Sequence, residues 1–231
     1  KEIITKFIDT KVITIGSYIS NTLKIKKKIK NKKNILYISS FRDSNPNQIF
    51  DRFQNGKIMY MKDLMSYEIN LITKLHKFCK DKKYTLSIAG CSIENYKKEK
   101  KFYKKLLPHG EWEFFRKRNI FDSYKLLDKF NIVVSCGTSM GVEAIGRNCK
   151  VAFFGRDFSI YDDWLYGWPQ KIKKKGFFYT NLINDKEIKR IMNNLIQIQQ
   201  ANWGKIVKKE SKRVMKYDYK NNILKGILKL K

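Results

Sequence analysis

Histidine is almost absent from this 231-residue chain, which has His76 and His109 and no others. No Ser-His-Asp arrangement can be assigned from so few, and no general base stands out. Cysteine is sparse as well. Cys79, Cys91, Cys136 and Cys149 sit singly inside apolar segments, with no CxxC or Cys/His spacing. That excludes a recognisable metal site and reads as buried free thiols in a reducing cytoplasm. No apolar run approaches the roughly 18 residues a membrane span needs, and no n-region/h-region pattern opens the chain. The GxGxxG and GxxxxGK[ST] spacings are both missing, so NAD and ATP are poorly supported. No DxD-like metal signal stands near a strand end; Asp162 and Asp163 fall in an aromatic loop and read as a solvated turn.

Acidic residues are outnumbered, 21 against 50 Lys and Arg, giving a formal charge of +29. The excess is nearly all Lys, accompanied by many Asn and Ile, as in an AT-rich genome whose solvated positions drift to Lys. Arg, the better bidentate reader of phosphate, is scarce. Three readings follow: a generic solvated surface, a basic face on anionic inner-leaflet lipid, or nucleic-acid binding. The last is disfavoured, because no helix-turn-helix, RRM or zinc-finger pattern occurs. A hydrophobic fraction of 42% and an aromatic fraction of 14% suit a globular chain with a real core. The chain starts at Lys1 rather than Met, and is expected to be a piece of something longer.

Along the chain, KVITIG (11–16) reads as a short strand and 24–34 as a charged connector. ILYISSF (35–41) and YTLSIAG (84–90) are apolar, β-branched runs, hence buried strands. A helix is predicted from Met61 to Cys79, where Leu64, Ile69, Ile72, Leu75 and Phe78 recur at helical spacing. Another follows Ser92, a candidate N-cap. EWEFF (111–115), NIVVSC (131–136), VAFFG (151–155) and GFFYT (176–180) read as further strands. Helical patterns fill 122–130, 139–148, about 184–200 and the C-terminal region. Strands that are continuous apolar runs, alternating with helices, imply a parallel sheet covered on both faces. The fold expected is therefore α/β, a Rossmann-like doubly wound parallel sheet with C-terminal helices, over residues 34–231. Residues 1–33 read as a linker from a preceding domain.

The stretch VVSCGTSMGVEAIGRNCKVAFFG (133–155) differs from its lysine-rich surroundings. Ligands of open parallel sheets bind outside the carboxyl ends of strands, and Ser135 to Ser139 lie at such an end, before a helix. Unpaired N–H groups and the positive end of the dipole there attract an anion. Gly137 and Gly141 would permit close approach, and Ser135, Thr138 and Ser139 would add hydroxyls. Glu143 could meet ribose hydroxyls. The plainer alternative is that Thr138 or Ser139 caps the helix and the glycines serve packing.

Several pieces in order resemble a family of bacterial surface-carbohydrate (O-antigen) biosynthesis proteins and, more broadly, the donor half of GT-B glycosyltransferases. They are TIGS with ILYISSFRD, IAGCSIENYKKEKKFY, SYKLLDKFNIVVSCGTSMGVEAIGR, YGWPQKIKKKGFFYTN and VMKYDYKNN. The resemblance implies the C-terminal, nucleotide-gripping domain of a two-domain enzyme, with a nucleotide-sugar donor as co-substrate and no metal. The acceptor would be a glycan or lipid-linked molecule. Ser135–Ser139 would take the donor phosphates and Glu143 its ribose, while Ser39, Ser40 and Arg42 would face sugar or phosphate from the same sheet edge. Cys91 departs from the pattern, where a basic residue is expected. Some transferases of this architecture use a His-Pro pair on CMP; here the order is Pro108-His109, so His109 reads either as a turn residue or as a phosphate contact. Trp164 and Tyr166 to Pro169 read as an aromatic lid or as a packing patch. A polyol-phosphate transferase using a CDP-alcohol, and a non-catalytic polyanion-binding module, remain alternatives. An enzyme would concentrate function at 135–143, whereas a binder would spread it over Lys with steep salt dependence.

Overall fold

The computed structural model describes residues 13, 15–26, 33–53, 55–157, 165–166 and 175–229. In chain order the elements are α1 (Tyr18–Thr22), β1 (Asn34–Ile38), β2 (Ile49–Arg52), β3 (Ile58–Tyr60), α2 (Met61–Lys82), β4 (Thr85–Ala89) and α3 (Tyr96–Leu106). Next come β5 (Trp112–Phe115), α4 (Asp122–Leu127), β6 (Ile132–Ser135), α5 (Ser139–Gly146) and β7 (Lys150–Phe154). The chain then runs through β8 (Arg156–Asp157), β9 (Leu165–Tyr166), β10 (Tyr179–Thr180), α6 (Asp185–Gln197), α7 (Gln200–Val214) and α8 (Asn222–Leu228).

Six strands form one sheet in the order β10-β7-β6-β1-β4-β5, with every pairing parallel. Renumbered within the sheet, that order is 3-2-1-4-5-6 read from the β5 edge, the doubly wound Rossmann arrangement. β1, β4, β6 and β7 are buried almost without interruption, as strands covered on both faces must be. Leu71, Ile72 and Leu75 of α2, Ala144 and Ile145 of α5, and Ile188, Ile191 and Leu195 of α6 join one core with them. Trp203 anchors α7: its indole is fully buried, donates to the Cys149 carbonyl at 2.9 Å and meets Phe178 edge-on. Lys150 is buried too, and its ammonium caps the end of α6 by donating to the carbonyls of Leu195 and Ile198.

The expected strands and helices of the sheet domain are present, with four differences. In 11–16, the described residues Ile13, Ile15 and Gly16 are not in a strand; the rest of that segment lies outside the described residues. Ser92 does not cap α3. Its hydroxyl accepts the Asn95 N–H at 2.8 Å, and the helix begins only at Tyr96 because Glu99 turns back to bind the N–H groups of Cys91 and Ser92. The short antiparallel pair β2 and β3 follows the RDSNPNQ loop. Only the last two residues of GFFYT pair with β7. Asp162, Asp163, Trp164 and Gly167 to Pro169 lie outside the described residues.

Residues 15–26, read as linker, are joined to the far end of the chain. Asn21 donates to the Ile15 carbonyl and to Asn221 Oδ1 and accepts from the Asp218 N–H, while the Tyr217 hydroxyl donates to the Leu23 carbonyl. Arg147, 1% exposed, ties this segment to the core. Its guanidinium donates to both oxygens of Asp128, at 3.3 and 2.8 Å, and to the carbonyls of Ser20 and Leu23.

Candidate functional site

The strand order reverses between β1 and β6, and a cleft of about 450 Å³ opens at their carboxyl ends. Its walls are the loop after β1 (Ser39 to Arg42), the loop after β4 (Gly90 and Cys91), Lys117 beyond β5, Ser123 of α4 and the turn from Gly137 to Met140. Among the described residues that line it there is no carboxylate, and the cations are Arg42 and Lys117.

The 137–140 turn has a defined construction. Gly137 has φ +67, a left-handed conformation that side chains disfavour. Ser135 is fully buried, and its hydroxyl holds the turn from behind, 3.0 Å from Thr138 Oγ1 and 3.4 Å from the Thr138 N–H. Thr138 occupies the N-cap position of α5, yet its side chain makes no capping bond. The helix-cap alternative thus has the right residue without the interaction. Gly141 donates its N–H to the Thr138 carbonyl. It is glycine for packing, since a Cβ there would strike the Ser135 side chain and come 2.8 Å from the Phe153 ring.

The β1 loop rests on buried polar side chains. Glu68 of α2 is 4% exposed; it accepts the Ser40 N–H at 3.0 Å and the Ser40 hydroxyl at 2.7 Å. The Tyr103 phenol lies 2.6 Å from the same carboxylate and 2.8 Å from Ser39 Oγ. Burial, and then the Glu68 charge, pushes the phenols of Tyr37 and Tyr103 well above their ordinary value. Phe41 donates its N–H to Ser39 Oγ and packs its ring on Phe102. Burial, with the Glu99 charge behind it, pushes the Cys91 thiol up to about 12.

Six of the residues expected from sequence line the cleft together: Ser39, Ser40, Arg42, Gly137, Thr138 and Ser139. Ser135 and Gly141 back it. Glu143 does not line it. Its carboxylate accepts the Ser17 hydroxyl at 2.9 Å and lies against the Tyr124 phenol, because the turn of α5 that carries it faces the 15–26 segment. His109 is exposed in the turn that enters β5, and so sits at the amino edge of a parallel sheet, opposite the cleft. His76 is half-buried against Gly110 at that same edge. Sequence reading passed over Lys117, Ser123 and Glu68. Lys117 had a usable signal, two residues past a predicted strand. Glu68 had none, being one polar residue on a long helix. Among the described residues no group of three or more His, Cys, Asp or Glu is placed to hold a metal ion. No helix among them is long and apolar enough to cross a membrane.

A doubly wound sheet with a cleft at its switch point defines a Rossmann-like α/β domain. A family model described as "putative O-antigen biosynthesis protein" matches residues 1–231, and the chain belongs to that family. No curated protein matches it. Among solved structures it is similar to a mutant of S. aureus TarM in complex with fondaparinux, alpha-GlcNAc-glycerol and UDP. The identity is 19% and the TM-score 0.45, over 99% of this chain and 41% of that one.

Proposed function

We propose that this chain is the nucleotide-sugar-binding part of a GT-B-type glycosyltransferase that builds O-antigen. It would move a sugar from a nucleotide to a glycan or lipid-linked acceptor. The observation that carries the reading is the cleft at the switch point. There an uncapped helix start, a left-handed glycine turn, Arg42 and Lys117 converge, with no carboxylate among the described lining residues. Such a set suits a diphosphate: amides and cations neutralise the charge that develops as the glycosyl–oxygen bond breaks. Membership of the O-antigen family supports a carbohydrate substrate. In this reading the transfer uses no metal, and in a GT-B arrangement the acceptor faces this cleft from a second Rossmann-like domain. The lysine-rich exterior, part of the +29 charge, would meet anionic lipid at the inner membrane face.

The test is a thermal-shift panel of CMP, CDP, UDP, GDP and ADP on the wild type, Gly137→Ala and Lys117→Met. A nucleotide at 100 times its Kd should stabilise the fold by roughly 2.7 kcal/mol, and both variants should lose most of that shift. If no nucleotide raises the midpoint while heparin binds in a salt-sensitive way, the chain is a polyanion binder instead.

A further inference from the structure

The cleft has two chemically different walls. At one, the Gly137 to Met140 turn presents helix-start amides, which can only donate hydrogen bonds. At the other, Ser40 is bound to Glu68 in a way that determines what its hydroxyl offers. An ionised carboxylate has acceptor sites alone. The hydrogen between Ser40 Oγ and Glu68 Oε2, 2.7 Å apart, is therefore the serine's own. The Ser40 N–H and the Tyr103 phenol also donate to Glu68, at 3.0 and 2.6 Å. Tyr103 keeps its proton, since burial and the Glu68 charge both disfavour phenolate. Once its hydrogen is committed, a serine hydroxyl can meet a ligand only as an acceptor. Ser40 lines the cleft, and a lone-pair donor there with a buried negative charge behind it is a poor contact for phosphate. It is a good contact for a hydroxyl.

Building on the transferase reading, we propose that Ser40 reads a hydroxyl of the transferred sugar by accepting its hydrogen. Glu68 is the positioning residue that fixes the direction of that hydrogen bond. The diphosphate then lies toward Gly137–Met140, and the sugar lies toward β1. Glu68→Gln is a near-isosteric probe of this polarity. Its carbonyl can keep the Ser40 N–H and Tyr103, while its amide N–H₂ takes the place of Oε2 and donates to Ser40 Oγ. The serine hydrogen is thereby released toward the cleft. Ser40 becomes a donor there and no longer accepts the sugar hydroxyl's hydrogen.

The experiment is calorimetric titration with UDP, GDP and dTDP, each alongside its sugar ester: UDP-N-acetylglucosamine, GDP-mannose and dTDP-glucose. The proteins are the wild type, Ser40→Ala, Glu68→Gln and Tyr103→Phe. For the nucleotide that binds, Ser40→Ala and Glu68→Gln should weaken the sugar ester about tenfold. Both should leave the bare diphosphate within twofold, and Tyr103→Phe should preserve the wild-type ratio. A general loosening of the loop would weaken both ligands together, so parallel losses overturn the assignment and leave the transferase reading intact. Absence of any nucleotide binding by the wild type overturns the transferase reading itself. Should Glu68→Gln not fold, Ser40→Ala makes the same discrimination alone.

Discussion

Arg147 and Asp128 form a nearly buried ion pair, with side chains at 1% and 7% exposure. Five donor contacts converge on the pair: three bonds from the guanidinium, counting Ser20 and Leu23 carbonyls with Asp128 Oδ1, the 2.8 Å bond to Asp128 Oδ2, and the Lys26 N–H to Asp128 Oδ2. The perturbation to make is Arg147→Met, which keeps most of the buried stem and removes the charge. Asp128 then stays buried with the Lys26 N–H for company, and the Ser20 and Leu23 carbonyls each lose one donor while keeping the Leu23 N–H and the Tyr217 hydroxyl, respectively. Breaking one side of a buried pair costs about 3–5 kcal/mol. In a chain of this size each kcal/mol lowers Tm by about 2–4 °C, so a fall of roughly 10 °C is expected. Adding Asp128→Asn to Arg147→Met should cost little more, and can recover part of the loss, because it removes the stranded charge. Urea unfolding of both singles and the double gives the coupling energy. Additive losses, or a loss below about 1 kcal/mol for Arg147→Met, would refute the argument that this pair joins the 15–26 segment to the Rossmann core.

Two further outcomes can be checked directly. With its thiol pushed up to about 12 from an ordinary 9.0, Cys91 should react with a disulfide reagent at pH 8 more slowly than an unperturbed cysteine, because its thiolate fraction is roughly a thousandfold smaller, partly offset by a more nucleophilic thiolate. All four cysteines should titrate after unfolding, and a fast thiol in the native protein would contradict the partial burial of Cys91 in the cleft wall. Hydrogen bonding from Arg190 holds the Glu187 carboxyl below its ordinary 4.5. A depressed folded value adds stability above pH 4.5 that is lost as pH falls through that lower value. Urea midpoints should therefore drop on acidification more steeply for the wild type than for Glu187→Gln, and equal slopes would remove the pair from the account.

Local pattern was enough to read the layered class of this protein. Unbroken apolar runs at β1, β4, β6 and β7 can be satisfied only by a sheet covered on both faces, and helical spacing over Met61–Cys79 leaves one buried stripe. It also marked the Gly137 turn, because a glycine among hydroxyl residues between strand and helix has few other uses. What it could not carry was direction and proximity. The order 3-2-1-4-5-6 alone brings Ser39–Arg42 beside Gly137–Met140, residues about a hundred positions apart. The parallel polarity of β5 sends His109 to one edge of the sheet and Lys117 to the other. The rotation of α5 about its axis turns Glu143 toward Ser17 and away from the cleft. Glu68 acquires its role only where α2 and α3 close over β1, burying a carboxylate beneath Ser40. Local pattern decides which residues hide from water; long-range packing decides which of them meet.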